Sequence, residues 1–119
     1  MERKKILLIE DDDSLVRALR YLIEDMDYDL VIALTHEQAD KALASGGPYV
    51  AAIVDYLIDN EPASRLIADL RRLHPHTPML CTTAATRAHI DADGTQPDAF
   101  LPKPFRAEEL RRALQALVN

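Results

Sequence analysis

Apolar positions along the chain follow two alternating patterns. Short runs with almost no polar interruption occupy residues 5–9, 30–34, 50–54, 79–82 and 99–101. Runs of this length, rich in Ile, Val and Leu, read as strands covered on both faces. Between them apolar residues recur every three or four positions, the spacing of a helix with one buried stripe. Residues 14–26 place Leu15, Leu19, Leu22 and Met26 on one stripe. A second helix follows Thr35, whose hydroxyl and Gln38 three residues on form a capping box. It buries Ala39, Ala42 and Leu43 and stops at Gly46-Gly47-Pro48. A third starts near Pro62, a favourable first-turn residue, and groups Leu66, Leu70 and Leu73. The last, residues 106–117, groups Leu110, Leu114 and Leu117, and begins at Arg106 with no good capping side chain. Between Thr83 and Phe100 the pattern fails. Ile90 is the only large aliphatic there, and Gly94 and Pro97 interrupt the second half. A short or irregular fourth helix is expected over residues 84–98.

Strand and helix alternating five times predict an α/β fold with a parallel sheet and helices on both faces. At 119 residues the chain is expected to be one domain, 1–119, with no internal repeat or linker. Composition narrows this little: 48% hydrophobic and 29% charged residues describe a folded domain. Cys81 is the single cysteine, so no internal disulfide forms, and a reducing, cytoplasmic setting is expected. No stretch is long enough to span a bilayer, so no membrane insertion is expected. Fourteen basic and 20 acidic residues give a net charge of -6, which argues against direct nucleic-acid binding.

In such sheets, ligands bind at the carboxyl ends of the strands. Polar residues collect there. The first strand runs into Glu10-Asp11-Asp12-Asp13, the third ends at Asp55, the fourth at Thr82-Thr83, and the fifth at "LPKPF" around Lys103. Each has a plainer reading. Acids after a strand usually cap helices or face water, and Asp12 or Asp13 is expected to start the first helix. A lone threonine or lysine at these places is ordinary. Together they suit a hard divalent cation, which takes oxygen ligands from one or two carboxylates. They also suit an aspartate acting as a nucleophile toward phosphorus, with Lys103 as a nearby positive charge.

These residues are similar to the receiver domain of bacterial two-component response regulators, over essentially the whole chain. "ILLIEDDD", "AIVD", "PMLCTTA" and "FLPKPF" carry the resemblance. It implies a flavodoxin-like doubly wound (βα)5 fold with strand order 2-1-3-4-5. It implies Asp55 as the phosphoacceptor, and Glu10, Asp11, Asp55 and the Leu57 backbone carbonyl as a magnesium (or manganese) site. Thr83 takes the switch hydroxyl position, Lys103 the phosphoryl-contacting position and Phe100 the switch aromatic position. Lys103–Pro104 is a candidate cis peptide. The implied partner is a histidine kinase or a histidine phosphotransfer protein, and the implied output a switched protein-binding surface. The implied role is a signalling module that catalyses its own phosphoryl transfer, not a turnover enzyme. Two rivals remain: a receiver-like interaction domain that is never phosphorylated, and a magnesium-dependent phosphohydrolase with an aspartyl nucleophile. The second lacks the acid such enzymes carry two residues after the nucleophile, where Leu57 stands.

The chain departs from the family after Asp55. Asp59 stands where proline is usual and Ala63 where glycine is usual. Asp59 and Glu61 are read as solvent-facing acids. Leu57 and Ala85 occupy the positions that tune water attack on the acyl phosphate, and neither can hydrogen-bond a water through its side chain. Slow autodephosphorylation is therefore expected.

Overall fold

The computed structural model describes residues 3–84, 88, 90 and 94–118. The described elements are β1 (Lys5–Ile9), α1 (Asp13–Asp25), β2 (Asp29–Ala33), α2 (His36–Ser45) and β3 (Tyr49–Asp55), followed by β4 (Leu57–Ile58), β5 (Glu61–Pro62), α3 (Ser64–Leu73), β6 (Met79–Thr83), β7 (Ala99–Pro102) and α4 (Ala107–Val118). Five strands form one parallel sheet in the order β2-β1-β3-β6-β7. This is the expected 2-1-3-4-5 order of a flavodoxin-like sheet, with β4 and β5 set apart as a small antiparallel hairpin.

Strand side chains alternate between the two faces, and the core divides accordingly. Ile6, Leu8, Ala51, Ile53, Leu80 and Leu101 pack against Val16, Leu19 and Ile23 of α1 and Leu110 and Leu114 of α4. Leu7, Ile9, Ala52, Val54 and Met79 pack against Ala39 and Leu43 of α2 and Leu66, Ile67 and Leu70 of α3. Every second residue of β1 thus belongs to a different layer, which is why its sequence shows no polar alternation.

Helix starts follow their capping chemistry. Asp12 accepts from the Ser14 and Leu15 amides at the head of α1. Thr35 accepts from the Gln38 amide, and the Gln38 side chain returns to the Leu34 amide at 2.8 Å. Arg106 lacks a capping side chain, but Glu109 accepts from its amide at 2.9 Å. α1 ends with Asp27 at φ 68°, its amide bonded to the Glu24 carbonyl and the Tyr28 amide to the Ile23 carbonyl. That is the left-handed ending usually assigned to glycine.

Three expectations need correction. The buried stripe of α1 is centred on Val16, Leu19 and Ile23, with Leu15, Leu22 and Met26 at its margin. α3 begins at Ser64 rather than near Pro62, because Pro62 pairs with Leu57 in the hairpin. Leu73 is 42% exposed, and Ile67 takes the place expected for it. The expected short fourth helix falls mainly on residues outside the described ones, as does Ala85. Of that segment, Ile90 is fully buried against Tyr56 and Cys81.

Candidate functional site

The parallel arrangement delivers the ends of β1, β3, β6 and β7 to one edge of the sheet. Register does the rest: Ile9 lies beside Val54, Asp55 beside Thr82, and Thr83 beside Pro102. Glu10 and Asp55, the first polar residues after buried runs, are only 2% and 6% exposed. Asp11 is exposed, and Asp12 and Asp13 serve the start of α1. The acidic run therefore splits between the site and a helix cap.

Lys103 ties the site together. Its Nζ donates to Glu10 Oε1 at 2.7 Å and to Asp55 Oδ2 at 2.9 Å. The peptide bond to Pro104 is cis, as the sequence suggested. The Leu57 amide donates to Asp55 Oδ1 at 3.1 Å, and the Asp12 amide to Glu10 Oε2 at 3.2 Å. Both buried carboxylates are thus held by two donors each. Thr83 closes β6 fully buried, and Phe100 lies in β7, half-buried beside Tyr56, Cys81 and Ile90.

Burial dominates the electrostatics of Glu10. Desolvation raises its pKa to about 7; the bond from Lys103 opposes this and the neighbouring Asp55 charge adds to it. Repulsion from the neighbouring acid is thus a secondary cause. For Lys103, burial alone would lower the pKa, but bonds and attraction from Glu10 and Asp55 outweigh it and the net shift is upward. Lys103 is a fixed cation.

One carboxylate oxygen from each of Glu10, Asp11 and Asp55 lies within 4.8 Å of the others. Oxygens sharing an octahedral magnesium ion are separated by at most about 4.2 Å, given bonds of about 2.1 Å. The donor set is all oxygen and nearly of the right span, so these residues fit a hard divalent cation.

Three neighbours were not anticipated. Tyr56 is buried directly after Asp55. Asp59, read as a solvent-facing acid, does expose its side chain, but its amide donates to Asp11 Oδ2 at 3.0 Å. His36, at the start of α2, places Nε2 3.3 Å from the Ile58 carbonyl and 3.8 Å from the Glu61 carboxylate. The Asp59-Asn60 pair, a two-residue turn candidate, was the one available signal.

Among the described residues, no helix is long and apolar enough to cross a membrane. Over residues 6–115 the sequence matches the family model of the response regulator receiver domain. The transcriptional regulatory protein YkoG of Bacillus subtilis is 27% identical over 121 residues, covering all of this chain and 53% of that protein. The chain spans about half the length of the curated relatives it matches. A CheY-like receiver domain from Methanospirillum hungatei superposes with a TM-score of 0.89 at 18% identity, covering 98% of this chain and 94% of that one. A Burkholderia pseudomallei response regulator, solved with a phosphorylated aspartic acid and a calcium ion, gives 0.83 at 27% identity, covering 97% and 68%. The sheet order, the acids at its edge and the family match over residues 6–115 place this chain in the receiver domain family of two-component response regulators.

Proposed function

We propose that the chain accepts a phosphoryl group on Asp55 from the phosphohistidine of a histidine kinase or a histidine phosphotransfer protein. The observation that carries this is the convergence of Asp55, Glu10 and Asp11 with Lys103 at one sheet edge. An oxygen of Asp55 attacks phosphorus, and the bond from phosphorus to the donor's imidazole nitrogen breaks as the new O–P bond forms. The Leu57 amide holds Asp55 Oδ1 and so orients the carboxylate. Lys103, already beside Asp55, is placed to follow the new charge onto the phosphoryl oxygens. Glu10, Asp11, Asp55 and the Leu57 carbonyl would hold magnesium or manganese. When bound, the ion offsets repulsion between carboxylates and the anionic donor.

Phosphorylation adds charge and acceptor oxygens beside buried Thr83, and the ensuing population shift alters a protein-binding surface through Phe100. The reading makes residues 1–119 one receiver domain working in the cytoplasm, as a switch that modifies itself rather than a turnover enzyme. The completeness of the acid, threonine and lysine set supports it over an unphosphorylated interaction domain.

Intact-protein mass after incubation with magnesium and a small acyl phosphate tests it. The expected result is one added phosphoryl group in wild type and none in Asp55→Ala. No adduct from the acyl phosphate or from a phosphorylated kinase would favour an interaction domain, and rapid multiple turnover a phosphohydrolase.

A further inference from the structure

The β4–β5 hairpin lies where the chain departs from its family, at Asp59 and Ala63, and its amides reach the carboxylates of Asp55 and Asp11. Ile58 pairs with Glu61, so Asp59 and Asn60 form a two-residue turn. Their φ angles, 53° and 61°, are both left-handed, as a type I′ turn requires. Asp and Asn tolerate that conformation better than other side-chain-bearing residues. The turn is anchored at its base by the Ala63 amide, which donates to the Tyr56 carbonyl at 2.6 Å. At its side, the His36 ring meets the Ile58 carbonyl. In this conformation the Asp59 amide points at Asp11 and holds Oδ2 at 3.0 Å.

A carboxylate oxygen that accepts from an amide keeps one lone pair, so the oxygen without such a donor is the better ligand for a cation. For Asp11 that is Oδ1. Magnesium takes six ligands in near-ideal octahedral geometry, usually one oxygen per carboxylate. Calcium takes six to eight and often uses both oxygens of a carboxylate. In Asp55 and Glu10 both oxygens already accept a bond, from the Leu57 and Asp12 amides and from Lys103, which leaves a cation one lone pair on each oxygen. Asp11, with no lysine on it, is the ligand whose coordination mode the hairpin decides.

We propose that the Asp59 amide is a positioning group that keeps Asp11 monodentate and so biases the site toward magnesium over calcium. This rests on the metal site of the proposed function. Without the amide, Asp11 is free to offer both oxygens, which calcium exploits and magnesium does not.

Amide-shift titrations by NMR with MgCl2 and with CaCl2, on unphosphorylated protein, measure the two affinities. Asp59→Pro removes the N–H and cannot adopt the left-handed φ, whereas Asp59→Asn keeps the N–H and the turn while removing the charge. The magnesium-to-calcium affinity ratio should fall about tenfold in Asp59→Pro, the worth of one charge-assisted hydrogen bond, and stay at the wild-type value in Asp59→Asn. A general loosening of the fold would weaken both ions together and leave the ratio unmoved; that result, or an equal change in both variants, overturns the proposal. If Asp59→Pro does not fold, Asn60→Val, which puts a β-branched side chain at φ 61°, replaces it with the same expected fall. A wild type that binds neither ion removes the metal reading itself, and this inference with it.

Discussion

Glu10 carries a cost that a single atom exchange should relieve. Its carboxyl is almost fully buried, and its pKa rises from 4.5 to about 7. A raised pKa means that the folded state favours the neutral acid. Stability from this group is therefore full below about pH 4.5 and is lost as the pH rises through about 7. Integrating across that window gives a loss of under about 1 kcal/mol at pH 5 and about 3 kcal/mol at pH 8. Glu10→Gln mimics the neutral acid: its carbonyl oxygen can still accept from Lys103 Nζ, but its amide nitrogen cannot accept from the Asp12 amide, an offset of about 1 kcal/mol at any pH. Without divalent ions, the variant should be more stable than wild type by about 2 kcal/mol at pH 8, roughly 8 °C in Tm for a chain of this size. At pH 5 the gain should vanish. Urea denaturation followed by far-UV circular dichroism, with a chelator present, reads both values. Magnesium should then narrow the gap at pH 8 by stabilising wild type more. A gain of equal size at both pH values, or a loss at pH 8, would refute the view that buried charge on Glu10 destabilises the empty site.

Other consequences are simpler to state. Leu70→Ala empties a fully buried position between α3 and the sheet, and should cost about 2–5 kcal/mol by the same denaturation assay. Asp27→Gly, at exposed φ 68°, should raise stability by about 1 kcal/mol, because glycine meets no steric penalty there. With apolar Leu57 and Ala85 unable to orient water, the phosphorylated form should persist on the order of hours by Phos-tag electrophoresis, corresponding to a barrier of about 23 kcal/mol. A lifetime of seconds with magnesium present would contradict that account.

Much of this arrangement could be read from the sequence because buried parallel strands leave an unambiguous trace. Apolar runs that give way to polar residues locate Glu10, Asp55 and Thr83, and Lys103 follows two residues after the last run, before any coordinate is known. The hairpin is different. Leu57-Ile58 and Glu61-Pro62 are too short to show a period of two, and Pro62 before Ser64 looks like the first turn of a helix. Asp59 acts through its main-chain N–H, which every non-proline residue possesses, so its side chain gives no clue. The α1 stripe centres on Val16, Leu19 and Ile23 rather than on Leu15, Leu19 and Leu22 because these five residues together form an apolar face wide enough to centre in two ways. His36 reads only as a helix-start residue, since its partner, the Ile58 carbonyl, lies 22 residues away.

The double contact of Lys103 with Glu10 and Asp55 has a kinetic meaning. An ammonium on a flexible stem is a resident counterion, supplied by the chain and present at any salt concentration. In the proposed transfer an approaching phosphodonor would meet Glu10 and Asp55 already paired and only exposed Asp11 bare, so the encounter would be less repulsive than the acid content suggests. The same contact would make Lys103 a competitor for the Asp55 lone pair that attacks in the proposed transfer. Charging the pocket would then be an exchange of partners, in which the ammonium moves from nucleophile to product without leaving the site. Shortening or lengthening the tether should alter how fast that exchange occurs even where the final phosphorylated state is equally stable.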